Sequence, residues 1–92
     1  MIRNFRHKGL ERLYEKASGK GLSADLVPKI ERILARLDVA TRPEMMNLPG
    51  YRLHPLKGAS QGYWSVWVTG NWRMTFRFDG GHVCDVDLVD YH

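Results

Sequence analysis

The sequence predicts an α+β fold, an antiparallel sheet with two N-terminal helices packed on one face. Two observations lead there. Apolar residues recur at helical spacing in the first half and alternate in the second, and no repeat, low-complexity tract or linker divides the halves. Residues 1–92 are therefore read as a single domain, a length sufficient for one core.

The elements follow in chain order. Ile2–Phe5 is a short segment suited to an edge strand. From His7, the positions Leu10, Leu13, Tyr14 and Ala17 form the stripe of an amphipathic helix, stopped at Ser18-Gly19-Lys20-Gly21 with Gly19 as the expected left-handed cap. A second helix takes Ser23 or Asp25 as its N-cap; with Asp25, Pro28 falls at the third helical position, where no backbone N–H is needed. Its apolar face is Val27, Ile30, Ile33, Leu34 and Leu37. It ends near Ala40–Thr41, before Pro43, and residues 44–48 add a short helical turn.

Alternation then takes over in 51–54, 64–69, 72–78 and 84–89, with Gly70-Asn71 and Asp79-Gly80-Gly81 as turns. A two-residue Gly70-Asn71 turn would place Val66 on the face of Thr75. A three-residue loop, Thr69-Gly70-Asn71, pairs Val68 with Trp72 and Val66 with Met74, so the latter register is expected. One sheet face then carries Leu53, Trp64, Val66, Val68, Trp72, Met74, Phe76, Phe78, Cys84, Val86 and Leu88. The other carries His54, Trp67, Arg73, Arg77 and further polar residues, and is where chemistry is expected.

The net charge is +4 and the sequence pI about 9.5. The excess is confined to residues 1–42, with ten Lys and Arg against five Asp and Glu, whereas residues 43–92 hold four against five. A basic surface on one part of a small domain fits a polyanion, nucleic acid first. No apolar run approaches the ~18 residues needed to span a bilayer, so no membrane role is expected. Met1 to Lys8 is basic without a following apolar stretch, which is not a secretory signal, and one cysteine makes no internal disulfide; a cytoplasmic location is expected.

The four histidines show no H-E-x-x-H or C-x-x-C-like spacing, so no metal is expected, and no cofactor motif is found. Cys84 falls on the expected core face, and no serine has a nucleophile-elbow context. Metal-free RNA cleavage remains. It needs a base for the 2′-OH proton, an acid for the departing 5′-oxygen, and cations for the charge on phosphorus. His54 and Arg73 share the polar face, Lys57 follows in the next loop, and Asp90-Tyr91-His92 brings a carboxylate, a phenol and an imidazole. Each has a plainer reading too. Arg73 also suits a cross-strand pair with Asp85 or Asp87, Arg77 suits that role better, and Trp67 is either a base-stacking ring or one sheltered by long side chains.

Taken together these residues resemble a known family. Tyr51-Arg52-Leu53-His54-Pro55-Leu56-Lys57-Gly58, Gly62-Tyr63-Trp64-Ser65-Val66, Asn71-Trp72-Arg73-Met74-Thr75-Phe76 and Asp90-Tyr91-His92 resemble the corresponding parts of HigB toxins of the RelE/ParE superfamily. Met1–Phe5, Phe5–Leu13 and Leu34–Thr41 match as well, so the likeness covers essentially the whole chain. It implies a RelE-like, microbial-RNase-like fold and the toxin half of a type II toxin–antitoxin pair. The implied activity is ribosome-dependent mRNA cleavage in the A site of the 70S ribosome. The implied partner is a HigA-type helix-turn-helix antitoxin, through which operator DNA is bound. By the family's motif, His54, Lys57, Arg73, Asp90, Tyr91 and His92 are the catalytic set.

Two further expectations complete the reading. Trp67, Arg77, Lys8, Arg12, Lys16, Lys29, Arg32 and Arg36 are the expected RNA-contacting residues. Strict alternation sends Asp90 and His92 to the core side and Tyr91 to the cleft, so the strand is expected to stop near Val89 and the tail to curl inward. The alternatives are a ParE-like gyrase-inhibiting toxin and a non-catalytic RNA-binding protein.

Overall fold

A computed structural model describes residues 1–91. Helix α1 spans Lys8–Lys16. It starts where His7, in extended conformation, turns its Nδ1 back to accept the N–H groups of Gly9 (3.0 Å) and Leu10 (3.3 Å), satisfying two donors that a helix start otherwise leaves open. It ends at Ala17 rather than at Gly19. Ala17 adopts φ 54° and returns its N–H to Leu13 O, because that is the amide one turn beyond the last buried leucine. Gly19 has another use: a Cβ there would meet Val27 Cγ2 at 3.3 Å.

Helix α2 spans Val27–Val39, with Leu26 before it and Pro28 one place earlier than expected. Neither Ser23 nor Asp25 is its N-cap. Instead Leu26 N–H donates to Ser23 O at 3.0 Å, a turn that buries Leu26, so apolar burial decides the entry in place of a polar cap. Ile30, Ile33, Leu34 and Leu37 are buried as the stripe requires, and the exit at Ala40 is where Pro43 demanded it. Pro43–Met46 forms a 3-10 turn that buries Met46 completely.

The second half is one antiparallel sheet in the order β1 (His54–Pro55), β2 (Tyr63–Thr69), β3 (Trp72–Asp79), β4 (His82–Asp90). The strand expected over 51–54 shrinks to two residues, since Arg52 sits at φ 51° and breaks the extended run. The β2–β3 hairpin corrects the expected loop. Its turn has two residues, with Thr69 opposite Trp72 and Gly70 at φ 54°. Val66 nonetheless faces Met74, because the extra residue lies within the strand, at Val68, as a bulge. Burial set the register; the strand, not the loop, absorbed the odd residue.

A second irregularity lies on β4. Thr75 faces Asp87 but Arg77 faces Cys84, so Asp85, at φ 55°, and Val86 together oppose Phe76. Beyond this point the phase reverses. Val83, opposite Phe78, takes the core position, and Cys84 shares the face of Arg77, although it is buried there. The expected core-side cysteine is thus on the other side of the sheet.

The core joins the helix stripes to Val66, Val68, Met74, Phe76, Val83, Val86 and Leu88, with Trp64, Trp72 and Phe78 partly buried around it. Residues 2–5 run parallel to β4, through Ile2 opposite Val83 and Phe5 opposite Val86. Asp38 ties the helices to that segment: Tyr14 donates its hydroxyl to Asp38 Oδ1, and Ile2 N–H reaches the same oxygen at 3.3 Å. No helix among the described residues is long and apolar enough to cross a membrane.

Candidate active site

The face away from the helices is organised by register. His54, Ser65, Thr75 and Asp87 form one row across all four strands. Ser65 and Thr75 are buried at 5% and 7% exposure, so they are the floor, while His54 stands exposed at the margin. The next row is Trp67, Arg73 and Val89; on the other side lies Tyr63, Arg77 and Cys84.

A cleft of about 330 Å³ opens over this floor, within the range of ligand-sized pockets. Thr75 and Asp87 lie beneath it. Leu56, Ala59 and Ser60 wall one side, Tyr91 one end, and Arg6 with Tyr63 the other. The wall is the loop after β1, closed by Leu56 N–H donating to Tyr63 O at 2.9 Å and tightened by the short 3-10 turn Gly58–Ser60. Lys57 opens that turn and is exposed, outside the residues that line the cleft.

Arg73 is fixed by its own hairpin. Its Nη1 donates to Gly70 O at 2.9 Å and Trp72 O at 3.1 Å. Tyr91 N–H donates to Asn71 O at 2.8 Å, which brings the Tyr91 ring to 6.0 Å from the Arg73 guanidinium carbon. The sheet therefore gathers Arg73 and Tyr91 and aligns His54 on the same face. Asp90 departs from the expected arrangement. Strand β4 continues through it, opposite Trp72, because the hairpin still offers Asn71 O to the following amide. The strand does not stop at Val89, and the register sets Asp90 on the side of Trp72. His92 lies outside the described residues.

The expected RNA-contacting residues divide. Arg77 donates through Nε to Asp85 Oδ2 at 2.8 Å, the structural role its position suggested. The Trp67 ring has Arg52 at 4.8 Å and Lys29 at 5.9 Å, and its Nε1–H donates to Gly70 O. Lys29 also stands 4.9 Å over the Tyr51 ring. On α1, Lys8, Arg12 and Lys16 flank a shallow groove shared with Glu11 and Glu15, which offsets much of their charge. Arg32 and Arg36 are exposed on α2.

Asp85 organises the cleft's far end. Asn4 Nδ2 (2.7 Å), Arg77 Nε (2.8 Å) and the Tyr63 hydroxyl (2.7 Å) all donate to its carboxylate. These hydrogen bonds, Asn4's first and then those of Arg77 and Tyr63, hold its carboxyl well below the usual carboxylate range, and the same contact raises the Arg77 guanidinium. Arg6 and Tyr63 were not singled out from the sequence. Tyr63 had a signal, being in phase with Ser65 and Trp67. Arg6 had none, because its place depends on the pairing of residues 2–5 with β4. Among the described residues, no three His, Cys, Asp or Glu side chains cluster as metal ligands would.

What the arrangement offers is a polar floor between cations, with an imidazole at the edge. Guanidinium and ammonium groups attract a phosphodiester, and an imidazole moves a proton near neutral pH.

A family model described as the RelE-like toxin of the type II toxin–antitoxin system HigB matches residues 3–92. The chain is 45% identical to Endoribonuclease HigB of Proteus vulgaris over 92 residues, covering 100% of both. The fold is similar to a YoeB/ParE toxin from Agrobacterium tumefaciens (TM-score 0.64, 21% identity, 100% of this chain and 99% of that one). It is also similar to a chain of the YoeB–YefM complex from Staphylococcus aureus (TM-score 0.63, 20% identity, 100% and 98%).

Proposed function

The chain belongs to the RelE-like HigB toxins of type II toxin–antitoxin systems and is an endoribonuclease of that kind; we propose that its substrate is mRNA in the A site of the 70S ribosome. The observation that supports this reading is the placement of Arg73 beside Tyr91, which lines one end of a cleft whose floor is aligned with His54. As a type II toxin it has an antitoxin partner. We assign that partner to the HigA helix-turn-helix type, with operator DNA bound only through the complex, and the encounter to the cytoplasm.

The reaction is metal-free transesterification. A base takes the 2′-OH proton, the 2′-oxygen bonds to the adjacent phosphorus, the bond from phosphorus to the 5′-oxygen breaks, and an acid protonates that oxygen. The products are a 2′,3′-cyclic phosphate, or the 3′-phosphate after hydrolysis, and a 5′-hydroxyl. Arg73 and Lys57 stabilise the charge that builds on the non-bridging oxygens. His54 and His92 move the protons and Tyr91 stacks on or hydrogen-bonds the nucleotide, while Asp90, set on the Trp72 side of β4, is left only a positioning role. Lys8, Arg12, Lys16, Lys29, Arg32 and Arg36 contact ribosomal RNA phosphates, so docking weakens as salt rises.

The test is to map mRNA 5′ ends on translating ribosomes with this protein and its Arg73→Ala variant. New 5′ ends at A-site codons with the parent chain and their loss with the variant are expected. Toxicity with DNA damage and no new mRNA ends would reject the reading in favour of gyrase inhibition.

A further inference from the structure

The two ends of the cleft carry the same combination of groups. At one, Tyr91 lines the cleft with Arg73 6.0 Å from its ring; at the other, Arg6 and Tyr63 both line it, with Arg6 5.2 Å over the Tyr63 ring. Strand β3 measures the interval, because Arg73 marks the first end and Arg77, the partner of Tyr63, marks the second. Four residues of antiparallel strand cover roughly 13 Å. One phosphodiester does not reach across that interval, whereas a short single strand does.

Resting on the ribonuclease reading above, we propose that Arg6 on Tyr63 is a second subsite for single-stranded RNA. It binds a backbone phosphate that flanks the scissile one, and Asp85 acts as its positioning residue.

Three observations support it. First, Arg6 is committed to the cleft wall but not used up: one N–H donates to the Tyr63 hydroxyl at 2.8 Å, and the side chain keeps 57% exposure. A guanidinium has five N–H donors in a planar fork suited to phosphate. Second, Asp85 forms an ion pair with Arg6 at 3.7 Å while sharing its single charge with Arg77 at 2.8 Å. The carboxylate already accepts direct hydrogen bonds from Asn4, Arg77 and Tyr63, and stands 3.7 Å from Arg6, beyond hydrogen-bond reach. Two guanidinium groups on one carboxylate leave a net positive charge at this end. Third, the Tyr63 hydroxyl accepts from Arg6 and donates to Asp85, so the carboxylate also fixes the ring on which the cation rests. A latch for the N-terminal segment alone would need only the Asn4 contacts.

The experiment uses the full chain and a six-nucleotide 2′-O-methyl RNA, which cannot be cut, with binding followed by fluorescence anisotropy over a salt series. Arg6→Ala is expected to weaken binding about 10-fold and to flatten the slope of log K against log salt by about 0.7, the loss of one phosphate contact on a single strand. Arg6→Lys restores the slope. Asp85→Asn keeps a residue tolerated at a positive φ. It makes the protein more positive, so charge alone would tighten binding; weaker binding, about threefold or more, is expected if Asp85 positions Arg6. Single-turnover cleavage on mRNA-programmed ribosomes separates this subsite from the chemistry. Arg6→Ala raises the half-saturating concentration and keeps the maximal rate within about threefold, while Arg73→Ala loses the rate itself.

Unchanged affinity and slope in Arg6→Ala, or tighter binding by Asp85→Asn, overturns the subsite and leaves the nuclease reading intact. Failure of the parent chain to bind the hexamer overturns it also. Arg6-dependent binding by a chain that cuts no mRNA supports the subsite and removes the nuclease reading.

Discussion

Asn4 and Asp85 lie 81 positions apart and hold each other from both sides: Asn4 Nδ2 donates to Asp85 Oδ1 at 2.7 Å, and Asp85 N–H donates to Asn4 Oδ1 at 3.0 Å. The contact satisfies a backbone amide at the β4 bulge and closes the N-terminal segment onto the sheet. Asp85 there also receives Arg77 and Tyr63. Removing this one carboxylate therefore loosens three parts of the chain together.

Acid should reveal that dependence. Asp85's folded carboxyl titrates below its ordinary value of 3.8, so its contribution to stability is fully present above that value. It is lost as pH falls through the lower folded value. Asp85→Asn should cost about 1.5–3 kcal/mol at neutral pH, the range for hydrogen bonds to a charged group. Urea midpoints at neutral pH and below the ordinary carboxylate value should fall farther for the parent chain than for the variant.

Tyr14 gives the opposite sign. The Asp38 hydrogen bond, aided by burial, pushes its phenol from 10.0 up to about 12, so the fold favours the neutral form. That contribution is whole below pH 10.0 and disappears as pH rises through about 12. Tyr14→Phe should lose about 1 kcal/mol near neutrality. The difference between parent and variant, followed by circular dichroism through alkaline titration, should close over that interval.

Ala17 predicts a gain. A residue with a Cβ in the left-handed region costs roughly 1–2 kcal/mol relative to its right-handed state, and glycine escapes that cost. Ala17→Gly should raise stability by about 0.5–1 kcal/mol after the greater chain entropy of glycine is counted. Thermal unfolding of the pair checks it, and a loss would show that the α1 exit tolerates the alanine.

At the site, Arg73→Lys should retain little activity. Two backbone carbonyls, Gly70 O and Trp72 O, hold the planar guanidinium in one orientation. A lysine ammonium is a point charge without that fork. A drop of about 10- to 100-fold in single-turnover cleavage is expected, against about 100- to 1,000-fold for Arg73→Ala, with circular dichroism unchanged in both.

Periodicity made the two helices and the three long strands legible, because Leu10, Ile30, Met74 and Phe76 each recur in phase with buried neighbours. It failed wherever one residue was surplus. Counting back from Leu88 by twos reaches Cys84, and only the bulge at Asp85 hands the core position to Val83. Asp85 carries no glycine to announce its positive φ. The same limit hid the Val68 bulge, since a longer turn would give Val66 the same partner. Within the site, alternation along single strands was enough to put His54, Arg73 and Tyr91 on one face. It was not enough for Arg6, whose neighbours come from the opposite end of the chain.

The parallel seam between residues 2–5 and β4 also has a bearing on when the far end of the cleft forms during folding. Ile2 and Val83, like Phe5 and Val86, are bridged although 81 positions separate them in the chain. Such non-local pairing pays its loop-closure entropy late in folding. Until that seam closes, Asp85 cannot orient the Arg6–Tyr63 pair. That end of the cleft is thus completed only when the N-terminal segment has docked along β4.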